Sequence, residues 1–408
     1  MPTTPVMPVV LVVNAGSSTL KFALYPRSAR DANALATNPP LASGQVDGLQ
    51  PGADLRLCPA GEAAVALPGA PATREARFAL ALQALQRHVA THAPQAHIVA
   101  VAHRIVHGGG HFRAPLILDD AALALLETLT PLAPLHQPFN LAGVKALRLA
   151  FPGVPQVGCF DTAFHATLPA LETRFALPRA LHTDGIRRYG FHGLSYEYLM
   201  QVLPGASTRA GGRVLMAHLG SGASLCAALE GRSAATTMGF SALDGLVMGS
   251  RCGALDPGVV LHLWRQGWTL EQVERLLYQE SGLLGVSGHS ADMRRLRGLA
   301  AQGDTPSQEA IALFERRLTR EAGALATLLG GLDVLVCSGG IGEHDAATRA
   351  ALAQGLQVFG VAIDPEANIR ATGDAMAAIH TPESRVEVWV LPTDEGRVAA
   401  QAAWALLD

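Results

Sequence analysis

Three features of the chain predict an α/β fold built from a duplicated unit. Short apolar runs of strand length alternate with longer helical stretches, each half opens on a strand, a turn and a returning strand, and glycine-rich turns follow several strands. With 408 residues, and about 150 per domain, two or three domains are expected. Apolar residues make up 49% of the chain and charged ones 16%, a composition that buries large cores and is unlike disorder.

Residues 9–13 form an apolar run that stops at Asn14-Ala15-Gly16, which reads as a buried strand entering a turn. Residues 21–25 alternate polar and apolar, so the chain returns as a second strand. The Pro-, Gly- and Ala-rich stretch 39–75 predicts a meander with loops. A helix over 74–92 leads to a strand over 98–102. Asp119 or Asp120 caps a helix reaching 129, because a carboxylate there accepts N–H groups that the helix leaves unpaired. A helix over 138–150 precedes a strand over 154–160, and the first domain boundary is placed there. The resulting division is 8–158 plus 396–408 against 159–395.

The second half repeats the opening rhythm. Residues 213–218 predict a strand, 219–222 a glycine-rich turn and 223–229 the returning strand. Helices follow at 256–265, 269–279, 291–300 and 307–329. A strand over 334–337 runs into Ser338-Gly339-Gly340-Ile341-Gly342, read as a turn, and then a helix over 345–356. A strand at 386–391 and a helix at 396–407 complete the pattern. No residue-level repeat accompanies this rhythm, so the duplication is architectural.

The net charge of −3 offers no basic field for nucleic acid or anionic lipid. No run of about 20 apolar residues is present to cross a bilayer, and the first ten residues lack a basic start and a cleavage site. The five cysteines, Cys58, Cys159, Cys226, Cys252 and Cys337, are scattered and form no CxxC pair. They predict reduced thiols in a cytoplasmic protein, with neither a disulfide framework nor a zinc site.

Three glycine-bearing turns follow strands, at 14–21, 218–224 and 339–344. Glycine lets backbone N–H groups approach an anion closely, so each is either a tight hairpin or part of a phosphate nest. Three together point to a polyphosphate site. None fits a Walker A loop or GxGxxG, and no GxSxG occurs, which argues against P-loop ATPases, dinucleotide dehydrogenases and α/β-hydrolases; there is no HExxH, and no spacing suits tetrahedral zinc. Arg104 in His103-Arg104-Ile105-Val106-His107-Gly108-Gly109 and Arg251 in Gly249-Ser250-Arg251-Cys252-Gly253 each emerge from an apolar stretch. Each guanidinium is read either as a fork on carboxylate or phosphate oxygens or as a structural ion pair. His136 and His192 stand in unusual contexts, where a buried structural role is the alternative. Asp161 and Glu395 sit at strand ends, as oxygen ligands of the dispersed kind Mg²⁺ takes or as turn and cap residues.

Together these blocks resemble the acetate kinase family. Asn14-Ala15-Gly16-Ser17-Ser18-Thr19-Leu20-Lys21 and the stretch 238–257 are similar to its two signatures, and the other blocks follow in family order from about residue 9 onward. The resemblance implies two ribonuclease-H-like lobes of the actin-like ATPase superfamily, with an interlobe cleft. It implies reversible transfer of the ATP γ-phosphoryl group to acetate by a cytoplasmic homodimer, with ATP as co-substrate and Mg²⁺ (or Mn²⁺) as cofactor. Carried over, Asn14 and Glu395 bear on the metal, Lys21 on ATP phosphate and Arg104 on the acetate carboxylate. Asp161 matches the family's active-site acid or base, and is expected to orient metal or substrate since acetate is already ionised at neutral pH. His192 and Arg251 stabilise the transition state. His218, Leu219, Gly220, Ser221, Gly222, Asp292, Met293, Arg294, Gly340, Ile341, Gly342, Glu343 and His344 line the nucleotide. Val106, Leu135 and Phe191 surround the acetate methyl.

Several positions depart from the family pattern. Thr19 replaces serine, Ser221 and His344 stand where asparagine is common, and Gly396 replaces a second glutamate, leaving Glu395 alone for the metal. Ala242 stands where proline is frequent beside the methyl pocket, leaving room for one more methylene, worth about 0.8 kcal/mol or roughly fourfold in preference. A propionate or butyrate kinase is therefore an alternative. A switch ATPase of the actin or chaperone kind is the competing class, but it has no use for Arg104, Arg251 and an apolar acyl pocket.

Overall fold

The computed structural model describes residues 6–27 and 39–408. The chain divides into two compact units, one of residues 1–163 and 394–408, the other of residues 164–393. The division falls after Ala163 and Thr393 instead of after 158 and 395. Asp161 follows directly on a strand of the first sheet, and the helix that begins at Glu395 packs on that sheet, so both belong with unit 1.

In unit 1 the strands are β1 (Met7–Ala15), β2 (Thr19–Pro26), β3 (Ala42–Asp47), β4 (Arg56–Pro59), β5 (Val65–Ala66), β6 (Ala96–Ile105), β7 (Leu116–Ile117) and β8 (Gln156–Phe160). They form one sheet in the order β5-β4-β3-β2-β1-β6-β8-β7. The β1–β5 meander is antiparallel, whereas β6 runs parallel to both β1 and β8. Parallel strands are covered on both faces, and this is why β1 and β6 read as near-continuous apolar runs. Helix Arg74–His92 starts where the Thr73 hydroxyl accepts from the Ala76 N–H, and it lays Phe78, Leu82, Leu85 and Val89 on the core with Leu11, Leu20 and Leu24. Asp119, not Asp120, caps helix Asp120–Thr128, its Oδ1 accepting from the Ala122 N–H at 2.7 Å.

Unit 2 contains β9 (Arg213–Leu219), β10 (Ala223–Leu229), β11 (Arg232–Thr236), β12 (Val334–Ser338), β13 (Ala377–Ala378) and β14 (Glu387–Val390), in the order β11-β10-β9-β12-β14-β13. Again a three-strand antiparallel meander is extended by parallel strands. The series β11-β10-β9-β12-β14 matches β3-β2-β1-β6-β8 strand for strand, so the repeated architecture is real although the side chains differ. The stretch 339–344, expected as a turn, is a short helix, Gly339–His344. Gly339 makes the corner at φ +74°, and the Glu343 carboxylate reaches back to its N–H at 2.8 Å. Helix Gly193–Val202 was not expected either. It starts from His192 without a side-chain cap, and its sequence shows no helical start signal. Among the described residues no helix is long and apolar enough to cross a membrane, and no disulfide joins the five cysteines.

Candidate active site

The turn between β1 and β2 sets Asn14 opposite Lys21 in the antiparallel register, with the Gly16 N–H on the Thr19 carbonyl at 2.8 Å. Two side chains that sequence reasoning overlooked fasten this hairpin. Asn140 donates its amide to the Ala15 carbonyl at 2.8 Å while its oxygen accepts from the Val106 N–H, tying the ends of β1 and β6 together. Arg74 donates to the Gly16 carbonyl and stacks over Phe139 at 4.3 Å. Nothing local marks either residue, because their partners lie far away in sequence.

Arg104 leaves the end of β6 and forks onto Asp161, Nε to Oδ1 at 2.9 Å and Nη2 to Oδ2 at 2.8 Å, while Nη1 meets Glu395 Oε2 at 2.7 Å. Burial works against the guanidinium charge, but the two carboxylates raise its pKa above the ordinary value. A guanidinium has five N–H groups, so these bonds leave one on each terminal nitrogen for a further anion. Asn14, Lys21, Arg104 and Glu395 line one cavity of about 190 Å³ with Val12, Tyr25 and Gly396. Gly396 has a local reason: a Cβ there would stand 2.5 Å from the Tyr25 hydroxyl, which donates to Asp394 Oδ1 at 2.6 Å. Val106 and Leu135 are half-buried in the same unit. His103 and His107 are buried nearby. Desolvation drives both down to about 4, the Gln156 amide oxygen partly opposing this at His103, so both are neutral at physiological pH.

In unit 2, Gly220, Ser221, Asp292, Met293, Arg294, Gly340, Ile341 and His344 line a pocket of about 480 Å³. That is within the range of small-molecule sites. Ala291, Arg297 and Asp345 complete it and were not anticipated. His218, Leu219, Gly222, Gly342 and Glu343 are not among the lining residues. Leu219 and Gly342 are buried, and the Glu343 carboxylate is turned onto the Gly339 and Thr393 N–H groups. Asp292 also caps helix Met293–Ala301 through the Arg295 N–H.

A second cluster in unit 2 holds the remaining residues. The His192 and His218 rings stack at 4.3 Å, with His192 Nδ1 on Ser224 Oγ at 2.9 Å and His218 Nδ1 on Ser195 Oγ at 2.8 Å. Each serine therefore occupies the Nδ1 edge of its histidine. A Cβ on Gly222 would lie 3.2 Å from His192 Nε2 and 3.6 Å from Arg251 Nη2, so the imidazole and the guanidinium approach each other where this glycine leaves space. Arg251 is held by its Nη1 bond to the Ala242 carbonyl at 3.0 Å. Phe191 is buried beside His192.

The acetokinase family model matches residues 9–401. An acetate kinase of Rhodopseudomonas palustris is 45% identical over 98% of both chains. The crystal structure of Porphyromonas gingivalis acetate kinase superposes with a TM-score of 0.86 at 34% identity, covering 98% of this chain and all of that one. A propionate kinase from Francisella tularensis superposes at 0.87 with 33% identity, over 97% and 99%.

The chain belongs to the acetokinase family.

As a member it is a kinase, a phosphotransferase whose acceptor is the carboxylate of acetate, with the mixed α/β fold of its structural relatives. The protein must hold a polyphosphate and a small carboxylate and neutralise charge on the group that moves.

Proposed function

We propose that the transfer is direct and in-line. An acetate oxygen attacks the γ-phosphorus of ATP, the bond to the β,γ-bridging oxygen breaks, and acetyl phosphate and ADP form in a reversible step. The observation that carries this reading is the single cavity onto which Asn14, Lys21, Arg104 and Glu395 converge. Acetate, with a carboxyl pKa near the ordinary ~4.3 of a glutamate, is ionised at neutral pH and needs no base. Asp161 accordingly serves to orient Arg104, whose remaining N–H groups take the acetate carboxylate. Lys21 meets ATP phosphate, and the glycine-lined pocket of unit 2 takes the nucleotide. His192 and Arg251 place Nε2–H and Nη2–H on the phosphoryl group as charge spreads over its oxygens.

The donor set suits Mg²⁺, or Mn²⁺ in its place. Among the described residues no three His, Cys, Asp or Glu side chains gather to hold a metal by themselves. One carboxylate and one amide oxygen, Glu395 and Asn14, share the cavity, which fits an ion that keeps water and phosphate oxygens as its other ligands. When bound, the ion neutralises phosphate charge.

The working form is read as a cytoplasmic homodimer. Helix Pro257–Arg265 has no buried residue, and Val259, Leu261, Trp264 and Trp268 leave a large apolar surface exposed. A second copy of the chain is the partner proposed for that face.

Hydroxylamine trapping tests the reaction. Protein, Mg-ATP and acetate should yield acetyl hydroxamate in step with ADP, whereas ATP turnover with no hydroxamate would overturn the proposal in favour of a switch ATPase.

A further inference from the structure

His165 lies buried in unit 2, 2% exposed, and both ring nitrogens are engaged. Nε2 is 2.9 Å from the Phe191 carbonyl and Nδ1 is 2.8 Å from Ser233 Oγ. A carbonyl only accepts, so Nε2 carries the proton. Desolvation lowers the imidazole pKa to about 4, so the ring is neutral and Nδ1 accepts from the Ser233 hydroxyl. The ring lies flush against Gly190, where a Cβ would stand 2.6 Å from it.

The residue after Phe191 is His192, whose backbone is left-handed at φ +58°, ψ +24°, a region that residues with a Cβ seldom occupy. The Phe191 carbonyl and the His192 N–H share one rigid peptide plane. A hydrogen bond that pins this carbonyl therefore restrains the rotation by which His192 would relax. Released, the His192 ring would leave Ser224 and its stack on His218.

We propose that His165 is a positioning residue for His192. Its neutral Nε2–H holds the Phe191 peptide, and Ser233 fixes the tautomer that makes this possible. The inference rests on the reading of His192 as a group on the transferring phosphoryl, and it adds a residue with no reach to substrate.

The test compares His165→Leu, which deletes the donor, with His165→Gln, whose amide N–H replaces it, and with Ser233→Ala, which leaves the ring but releases the tautomer. After circular dichroism confirms folding, kcat for acetyl phosphate formation should fall roughly tenfold to hundredfold in His165→Leu, the scale of a small misplacement. KM for ATP and acetate should stay within about twofold, and His165→Gln should recover most of the loss. In a His192→Ala background, His165→Leu should cost little more. If His192→Ala is itself harmless, the reading of His192 fails and this inference falls with it. If His192→Ala is costly but His165→Leu is silent, or its loss multiplies in that background, the positioning role is wrong while the reading of His192 stands. Where His165→Leu does not fold, Ser233→Ala decides: an intermediate loss of kcat supports the role, and wild-type kcat rejects it.

Discussion

Arg104 and Asp161 form a two-pronged ion pair inside unit 1, with the Asp161 side chain only 3% exposed. The guanidinium plane is thereby set before any substrate arrives, and Glu395 Oε2 meets Nη1 at 2.7 Å. A lysine has neither the planarity nor the second donor to reproduce this. Arg104→Lys and Arg104→Ala should each lower kcat/KM for acetate by on the order of a hundredfold or more, and Arg251→Ala should do likewise. Steady-state hydroxamate assays giving losses under about fivefold for both arginines would remove them from the mechanism.

Asp161→Asn separates orientation from proton transfer. The amide still accepts on one oxygen, but it leaves a buried cation with half its compensation, and breaking such a pair costs about 3–5 kcal/mol. The expected result is a large loss of stability in chemical denaturation and of kcat/KM, with no shift in the pH profile attributable to a missing base.

The Tyr25 hydroxyl fills the space a side chain at 396 would need. Gly396→Ala should destabilise the protein by about 1–3 kcal/mol through overpacking, and Tyr25→Phe in the same chain should return part of that. Thermal unfolding of the two single variants and the double variant measures the coupling, and strict additivity would contradict the packing argument.

Ala242 lends its carbonyl to Arg251 while presenting only a methyl group. Propionate should therefore turn over with kcat/KM within roughly fourfold of acetate, and Ala242→Pro should shift the ratio toward acetate. Absence of detectable propionyl hydroxamate would dismiss the extra space.

His103, His107 and His165 are each lowered from the ordinary 6.5 to about 4, mainly by desolvation. Their pKa is lower in the folded state than in the unfolded one, so between these values the unfolded chain binds more protons. The stabilisation is complete above pH ~6.5 and drains as pH falls toward 4, at most on the order of 3 kcal/mol per group. Urea midpoints measured across pH 4–7 should drop on the acid side, and His103→Gln should flatten the slope.

Much of this was legible because the strands are written as apolar runs closed by glycine: 9–13, 213–218 and 334–337 all begin or end within a few residues of β1, β9 and β12. The residues grouped by the resemblance also fall into few places, with Asn14, Lys21, Arg104 and Glu395 around one cavity. What escaped notice depends on distant neighbours. Gly339–His344 looks like a turn because glycines hide helical propensity, although the Glu343 carboxylate closes it on Gly339. Asn140 and Arg74 act through backbone carbonyls more than fifty residues away, and no periodicity records such a bond. His165 follows Asp161 by four residues in the sequence, but its link to Phe191 exists only once the chain has folded.

Helix Glu395–Leu407 lies across β1, β6 and β8, although the whole of unit 2 is encoded before it. During translation, at about 5–20 residues per second, the earliest strands must therefore wait on the order of ten seconds or more for their cover. A ribosome that stalls before Asp394 leaves a finished second half attached to an unsealed first one, deprived of Glu395. That nascent species is where a chaperone would have most to bind.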